Sequence, residues 1–254
     1  MKKLYQKSEL AFSLVWIAAY VVLLSVADAL SDQIGFAKLV TAPLCVALAV
    51  VATIFIRRNG LSETYGLCRF EGRPGRYLYF IPLVLLASTN VWWGVTLNYR
   101  VEESVLYVVS MLGVGFLEEI IFRGFLFKAM AKDNVPRAVV VSSLTFGIGH
   151  IVNLLNGANV PETLLQIGYA VAAGFLFTVL FYKGKSLWPC IVTHGVLNSL
   201  SAFTNEANRP VWGNAVSAVF LCVVSLGYAL YIVKQKREGE RKPPKPRGFG
   251  GLFA

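Results

Sequence analysis

Apolar residues gather in long runs set off by short charged connections, at 10–27, 39–56, 77–98, 104–117 (continuing through a charged motif to about 130), 138–156, 163–182, 186–205 and 210–233. Most are about 18 to 24 residues long, enough at 1.5 Å per residue to cross a hydrocarbon core roughly 30 Å thick. The pattern predicts an all-α, polytopic membrane protein, a bundle of about eight transmembrane helices forming a single membrane-embedded domain over 1–254. The run at 10–27 follows Lys2, Lys3 and Lys7 but is too long for a signal-peptide core, and no A-x-A site follows it, so it is read as the first helix. The longest polar connection is 57–76, and 234–254 reads as a flexible, basic, Pro/Gly-rich tail.

Composition agrees with this reading. The chain is 56% hydrophobic and only 15% charged, with a mean hydropathy of +0.60, far from an average soluble domain. A net charge of +10 raises the question of nucleic acid, and the position of the charge answers it. With eight spans, 21 of the 24 Lys and Arg residues fall on one side, leaving Lys38, Arg100 and Arg209 on the other. That asymmetry is the positive-inside pattern. It predicts both termini cytoplasmic, a tail lying near anionic lipid, and no nucleic-acid partner; the compact style of the chain suits a prokaryotic plasma membrane. Cys45, Cys68, Cys190 and Cys222 form no C-x-x-C pair. They are assigned no chemistry.

The candidate chemistry lies inside the apolar runs. FLEEIIFRGF carries Glu118, Glu119 and Arg123; LTFGIGHIVN carries His150; and WPCIVTHGVLNS carries His194 and Asn198. A charged group at mid-membrane costs about 2.5–3.5 kcal/mol even on the insertion scale, so such groups face the bundle interior and mark function. Glu119 and Arg123 are spaced i,i+4 and can pair, whereas Glu118 points about 100° away and is left without that partner. His194 and Asn198 share one helix face by the same spacing. Measured from Lys128, Arg137 and Lys185, Glu118, His150 and His194 lie roughly 15, 20 and 14 Å deep, which places them in one layer. The glycines of MLGVGF and FGIGH suit close helix approach.

A desolvated carboxylate can act as general base toward water, neutral histidines can orient that water or hold a metal, and an amide N–H can stabilise an oxyanion. The same groups also suit a transporter or proton relay, or a non-catalytic membrane scaffold or immunity protein.

EEIIFR (118–123), FGIGH (146–150) and HGVLN (194–198) resemble, in order, the EExxxR, FxxxH and HxxxN motifs of the CPBP family of intramembrane proteases, which takes in the type II CAAX prenyl endopeptidases and the Abi and bacteriocin-immunity proteins. The likeness covers about 106–201, within a catalytic core of about 104–205. It implies an eight-helix bundle whose catalytic layer is reached from the cytoplasmic side. It also implies an endopeptidase acting on a hydrophobic, lipidated or membrane-anchored substrate, in CAAX-type or leader-peptide processing. By position, Glu118 matches the water-activating glutamate, Glu119 and Arg123 its supporting pair, His150 and His194 the water- or metal-orienting histidines, and Asn198 the oxyanion amide. No H-E-x-x-H is present; His150, His194 and one glutamate form a candidate zinc set, and the leaning is to metal-free glutamate catalysis.

Overall fold

The computed structural model describes residues 1–155 and 157–235. The described residues are helical, apart from connections and one isolated bridge between Val95 and Thr204. Six helical runs are long and apolar enough to cross a membrane, and the chain is an integral membrane protein. The predicted basic tail lies, over 236–254, outside the described residues.

Eight principal helices follow the eight apolar runs. They are α1 (Glu9–Ile34), α2 (Thr41–Arg58), α3 (Ile81–Ala87), α4 (Val101–Glu118), α5 (Val135–Gly149), α6 (Val160–Gly184), α7 (Trp188–Leu200) and α8 (Gly213–Lys234). Their starts follow local chemistry. Ser8 caps α1 by accepting from the Ala11 N–H, Asn134 caps α5 and Asn159 caps α6, and Pro136, Pro161 and Pro189 sit in first turns, where a missing N–H does least harm. α4 does not stop at Glu118. It runs on through a π-helical stretch, Glu119–Leu126, and Phe127–Ala131, making one 31-residue span.

Two of the eight expected spans are shorter than a full crossing. The run at 77–98 yields only α3 and a 3-10 turn, Ser88–Val91. Tyr77 departs from helical angles, Leu78, Tyr79 and Phe80 lie in the left-handed region, and the helix starts only at Ile81. Beyond it the Ser88 and Thr89 hydroxyls bond back to the Leu85 and Leu86 carbonyls, and the chain turns at Gly94 (φ +96). The run at 186–205 yields the 13-residue α7 and a short 3-10 turn, Ser201–Phe203.

The helices pack as neighbours α4 with α2 and α7, α6 with α5 and α8, α7 with α3, and the π-helical stretch with α1. The approach of α4 to α7 is especially close. A Cβ built on Gly115 of α4 would lie 2.6 Å from the Gly195 nitrogen and 2.8 Å from its Cα, so the two helices touch backbone to backbone.

The two ends of the bundle differ. At the end bearing Lys3, Arg57, Arg58, Lys128, Lys132 and Lys185, aromatic rings fill the core. Phe125 meets Phe12 and Tyr65 at 5.0 Å, Trp16 at 5.8 Å and Phe55 at 6.4 Å between ring centroids. The 57–76 connection folds over this end, where the Leu187 N–H donates to the Gly66 carbonyl at 2.9 Å and the Ser186 hydroxyl to the Cys68 carbonyl at 2.8 Å. The opposite half of the bundle encloses a cavity of about 600 Å³.

Candidate active site

All six residues singled out in the sequence converge on the inner half of that cavity or directly behind its wall. Glu118, His150, His194 and Asn198 line it, while Glu119 and Arg123 lie behind them, fully buried. The Gly115–Gly195 contact brings His194 against both glutamates. Its Nδ1 is 2.9 Å from Glu119 Oε1, and its Nε2 is 3.4 Å from Glu118 Oε2. The widening of the helix at Glu119 sits at this junction, as π-helical turns often do at functional sites.

The expected Glu119–Arg123 pair is present, with Arg123 Nη1 3.1 Å from Glu119 Oε1 and neither side chain exposed. The guanidinium N–H groups are not aligned for hydrogen bonds, and Glu119 Oε2 has no hydrogen-bond partner among the described residues. Distance and alignment thus disagree, and the distance carries the larger effect: at this burial the attraction between the charges is strong without directed bonds. The guanidinium also lies over aromatic faces, 4.0 Å from the centre of Phe146 and 5.7 Å from that of Phe177. Those ring faces supply much of what aligned acceptors would have supplied.

Glu118 has no ion pair with Arg123, as helix spacing implies, but it is not free. The Tyr20 hydroxyl, from α1, donates to Glu118 Oε1 at 2.7 Å, and His194 faces the other oxygen. The glutamate is therefore held at both oxygens, with its side chain 13% exposed to the cavity. Helix spacing compares neighbours on one helix and is blind to a residue 98 positions away. The signal for Tyr20 was its own chemistry, since a phenol hydroxyl in a hydrocarbon run must find a polar partner. Phe146 was also missed, although it opens the FGIGH stretch. It supports Arg123 with its face, meets the His150 and His194 rings edge-on at 5.2 and 5.7 Å, and gives its carbonyl to His150.

The proton positions follow from the partners. His150 Nδ1 is 3.1 Å from the Phe146 carbonyl, which only accepts, so Nδ1 carries the hydrogen and Nε2 is an acceptor in the neutral ring. His194 Nδ1 donates to Glu119 by the same reasoning, which sets a bare Nε2 against a carboxylate oxygen unless a proton lies between them. The result is a chain from Tyr20 through Glu118, His194 and Glu119 to Arg123. Asn198 forms no side-chain hydrogen bond among the described residues, and its amide is free to meet a ligand in the cavity.

Both nitrogens of His194 face carboxylates. Among the described residues no group of three His, Cys, Asp or Glu side chains is arranged to hold a metal ion.

Residues 100–200 match the model of a family described as Type II CAAX prenyl endopeptidase Rce1-like. Among curated proteins the chain is similar to "Putative membrane peptidase YdiL" of Bacillus subtilis (strain 168), at 34% identity over 172 residues. That match covers 61% of this chain and 66% of the relative, just under two thirds of the relative's length. No solved structure matches the chain.

Proposed function

From the match of residues 100–200 to the Rce1-like family model, we propose that this chain is an intramembrane endopeptidase acting on a hydrophobic, lipidated or membrane-anchored peptide. The observation that carries the proposal is the Glu118 carboxylate, held by Tyr20 and His194 at the wall of a cavity of about 600 Å³ and backed by a fully buried Glu119–Arg123 pair. A volume of that size is ordinary for a ligand site.

Glu118 takes a proton from water as the water oxygen attacks the peptide carbonyl. The Asn198 amide donates to the oxyanion that forms, and His150 Nε2 accepts from the attacking water and orients it. The proton held at Glu118 then passes to the leaving amine as the C–N bond breaks. Glu119 and Arg123 fix the ring of His194, which fixes Glu118 in turn. A metal-free mechanism is part of the proposal, supported by the direct hold of Tyr20 and His194 on the Glu118 carboxylate. The aromatic closure at the basic end weighs against a transport path through the bundle.

The test is time-resolved mass spectrometry of hydrophobic peptides with the purified protein. Glu118→Gln is expected to remain folded and cut nothing, and a chelator to leave the wild-type rate unchanged. Full cleavage by Glu118→Ala would refute the peptidase reading. Stoichiometric metal, lost together with activity in His150→Ala, would overturn the metal-free part alone.

A further inference from the structure

Each helix contributes to the cavity from the same half. α1 lines it with Tyr20 to Asp28, α5 with Phe146 to His150, α6 with Glu162 to Phe177 and α8 with Asn214 to Ser225. Given the directions in which these helices run, every lining segment extends from mid-bundle to the end opposite Lys3, Arg57, Arg58, Lys132 and Lys185. The basic end is shut by the rings of Phe12, Phe55, Tyr65 and Phe125 and covered by the 57–76 connection. Access therefore lies at the end whose basic residues are Lys38, Arg100 and Arg209, the side that is poor in Lys and Arg.

We propose that the cavity opens on the non-cytoplasmic side of the membrane, and that its substrates are peptide segments presented at that outer surface. An approach from the cytoplasmic side, as the family resemblance implies, is incompatible with this shape if the basic end is cytoplasmic as the positive-inside pattern requires. The proposal rests on reading the cavity as the peptidase site.

The chemistry of the mouth narrows the substrate. Its cations are paired, Lys38 Nζ with Asp28 Oδ1 at 2.7 Å and Arg209 Nη1 with Glu206 Oε1 at 3.1 Å, which leaves the Glu162 carboxylate without a cationic partner among the described residues. The rest is amide, with Asn153 donating to Gln166 at 2.8 Å and Asn214 donating to Glu162 at 3.1 Å. Amides with spare donors and acceptors suit the uncharged polar main chain of an extended peptide better than an anionic headgroup. Deeper in, Leu86, Leu221, Phe122 and Phe177 offer an apolar wall for hydrophobic side chains or a lipid chain.

Cysteine accessibility in intact cells tests the sidedness without requiring activity. In a background of Cys68→Ser and Cys222→Ser, which leaves the buried Cys45 and Cys190 in place, Ala158→Cys probes the mouth and Thr64→Cys the opposite end. Both positions are exposed, Ala158 on the rim of the cavity and Thr64 away from it. A charged, membrane-impermeant maleimide is expected to label Ala158→Cys in intact cells and Thr64→Cys only after permeabilisation. Any other pattern overturns the proposal. Sealed right-side-out vesicles are further expected to cut a fluorogenic hydrophobic peptide added outside, without permeabilisation. Failure of that cleavage in detergent as well, with labelling as expected, removes the peptidase reading and leaves the outward opening standing. Cleavage only after permeabilisation overturns outward access by substrate.

Discussion

Replacing Gly115 with alanine adds one methyl group at the tightest contact between α4 and α7. The new Cβ would stand 2.6 Å from the Gly195 nitrogen, 0.8 Å inside the 3.4 Å at which ordinary contact begins, and its neighbours there are backbone atoms with nowhere to turn. If the helices part by that 0.8 Å in full, the His194 contacts to Glu119 and Glu118 lengthen from 2.9 and 3.4 Å to about 3.7 and 4.2 Å, outside hydrogen-bond reach. Overpacking of this kind costs about 1–3 kcal/mol. A catalytic group displaced by roughly 1 Å can lose on the order of 10² in rate. The expected result for Gly115→Ala is therefore a lower Tm together with a kcat about 10²-fold down, measured on detergent-purified protein with a cleavable hydrophobic peptide. Gly227→Ala is the internal control, because a Cβ there meets nothing within 4 Å. It should keep full activity and gain about 0.5–1 kcal/mol from the better helix former. Wild-type rate and Tm in Gly115→Ala would refute the idea that this contact sets the geometry of the site.

Arg123→Lys keeps the charge but loses the flat guanidinium over Phe146, so Tm should fall by an amount reflecting about 2 kcal/mol, with activity falling alongside; an unchanged melting curve would mean the ring contact contributes nothing. Tyr20→Phe removes the donor at Glu118 Oε1 and keeps the ring; a hydrogen bond to a charged acceptor contributes about 1.5–3 kcal/mol to stability, so Tm should fall and kcat/KM should drop with it, and equal kcat/KM for the two proteins would sink the positioning role. Asn198→Ala should lower kcat by about 10²–10³, the scale for one oxyanion donor, without moving KM much; a KM effect alone would reassign Asn198 to substrate binding.

The features legible in the sequence were those that depend on near neighbours. Apolar runs located eight helices to within a few residues for most, and i,i+4 spacing identified the Glu119–Arg123 pair that the structure contains. The run at 77–98 misled because hydropathy does not register the left-handed backbone at Leu78 to Phe80 or the hydroxyls that bond back beyond it. Helix spacing assumed uniform α geometry across EEIIFR, whereas the chain widens there into π-helical turns. Contacts between distant elements were out of reach: Tyr20 on Glu118, the double engagement of His194, and Phe146 beneath Arg123 all depend on how helices assemble. The direction in which the cavity opens is likewise a property of the assembled bundle.

The aromatic closure beneath the site has an electrical meaning. A wet hollow that reaches mid-membrane shortens the insulating path, so the remaining layer must carry most of the transmembrane field, worth roughly 2.3 kcal/mol per elementary charge for each 100 mV. Here that layer is made of Phe12, Phe55, Tyr65 and Phe125, packed ring against ring. Water can then reach a buried carboxylate without opening a wire for protons, and the cell's ion gradients are spared the leak that a hydrophilic shaft of the same depth would create.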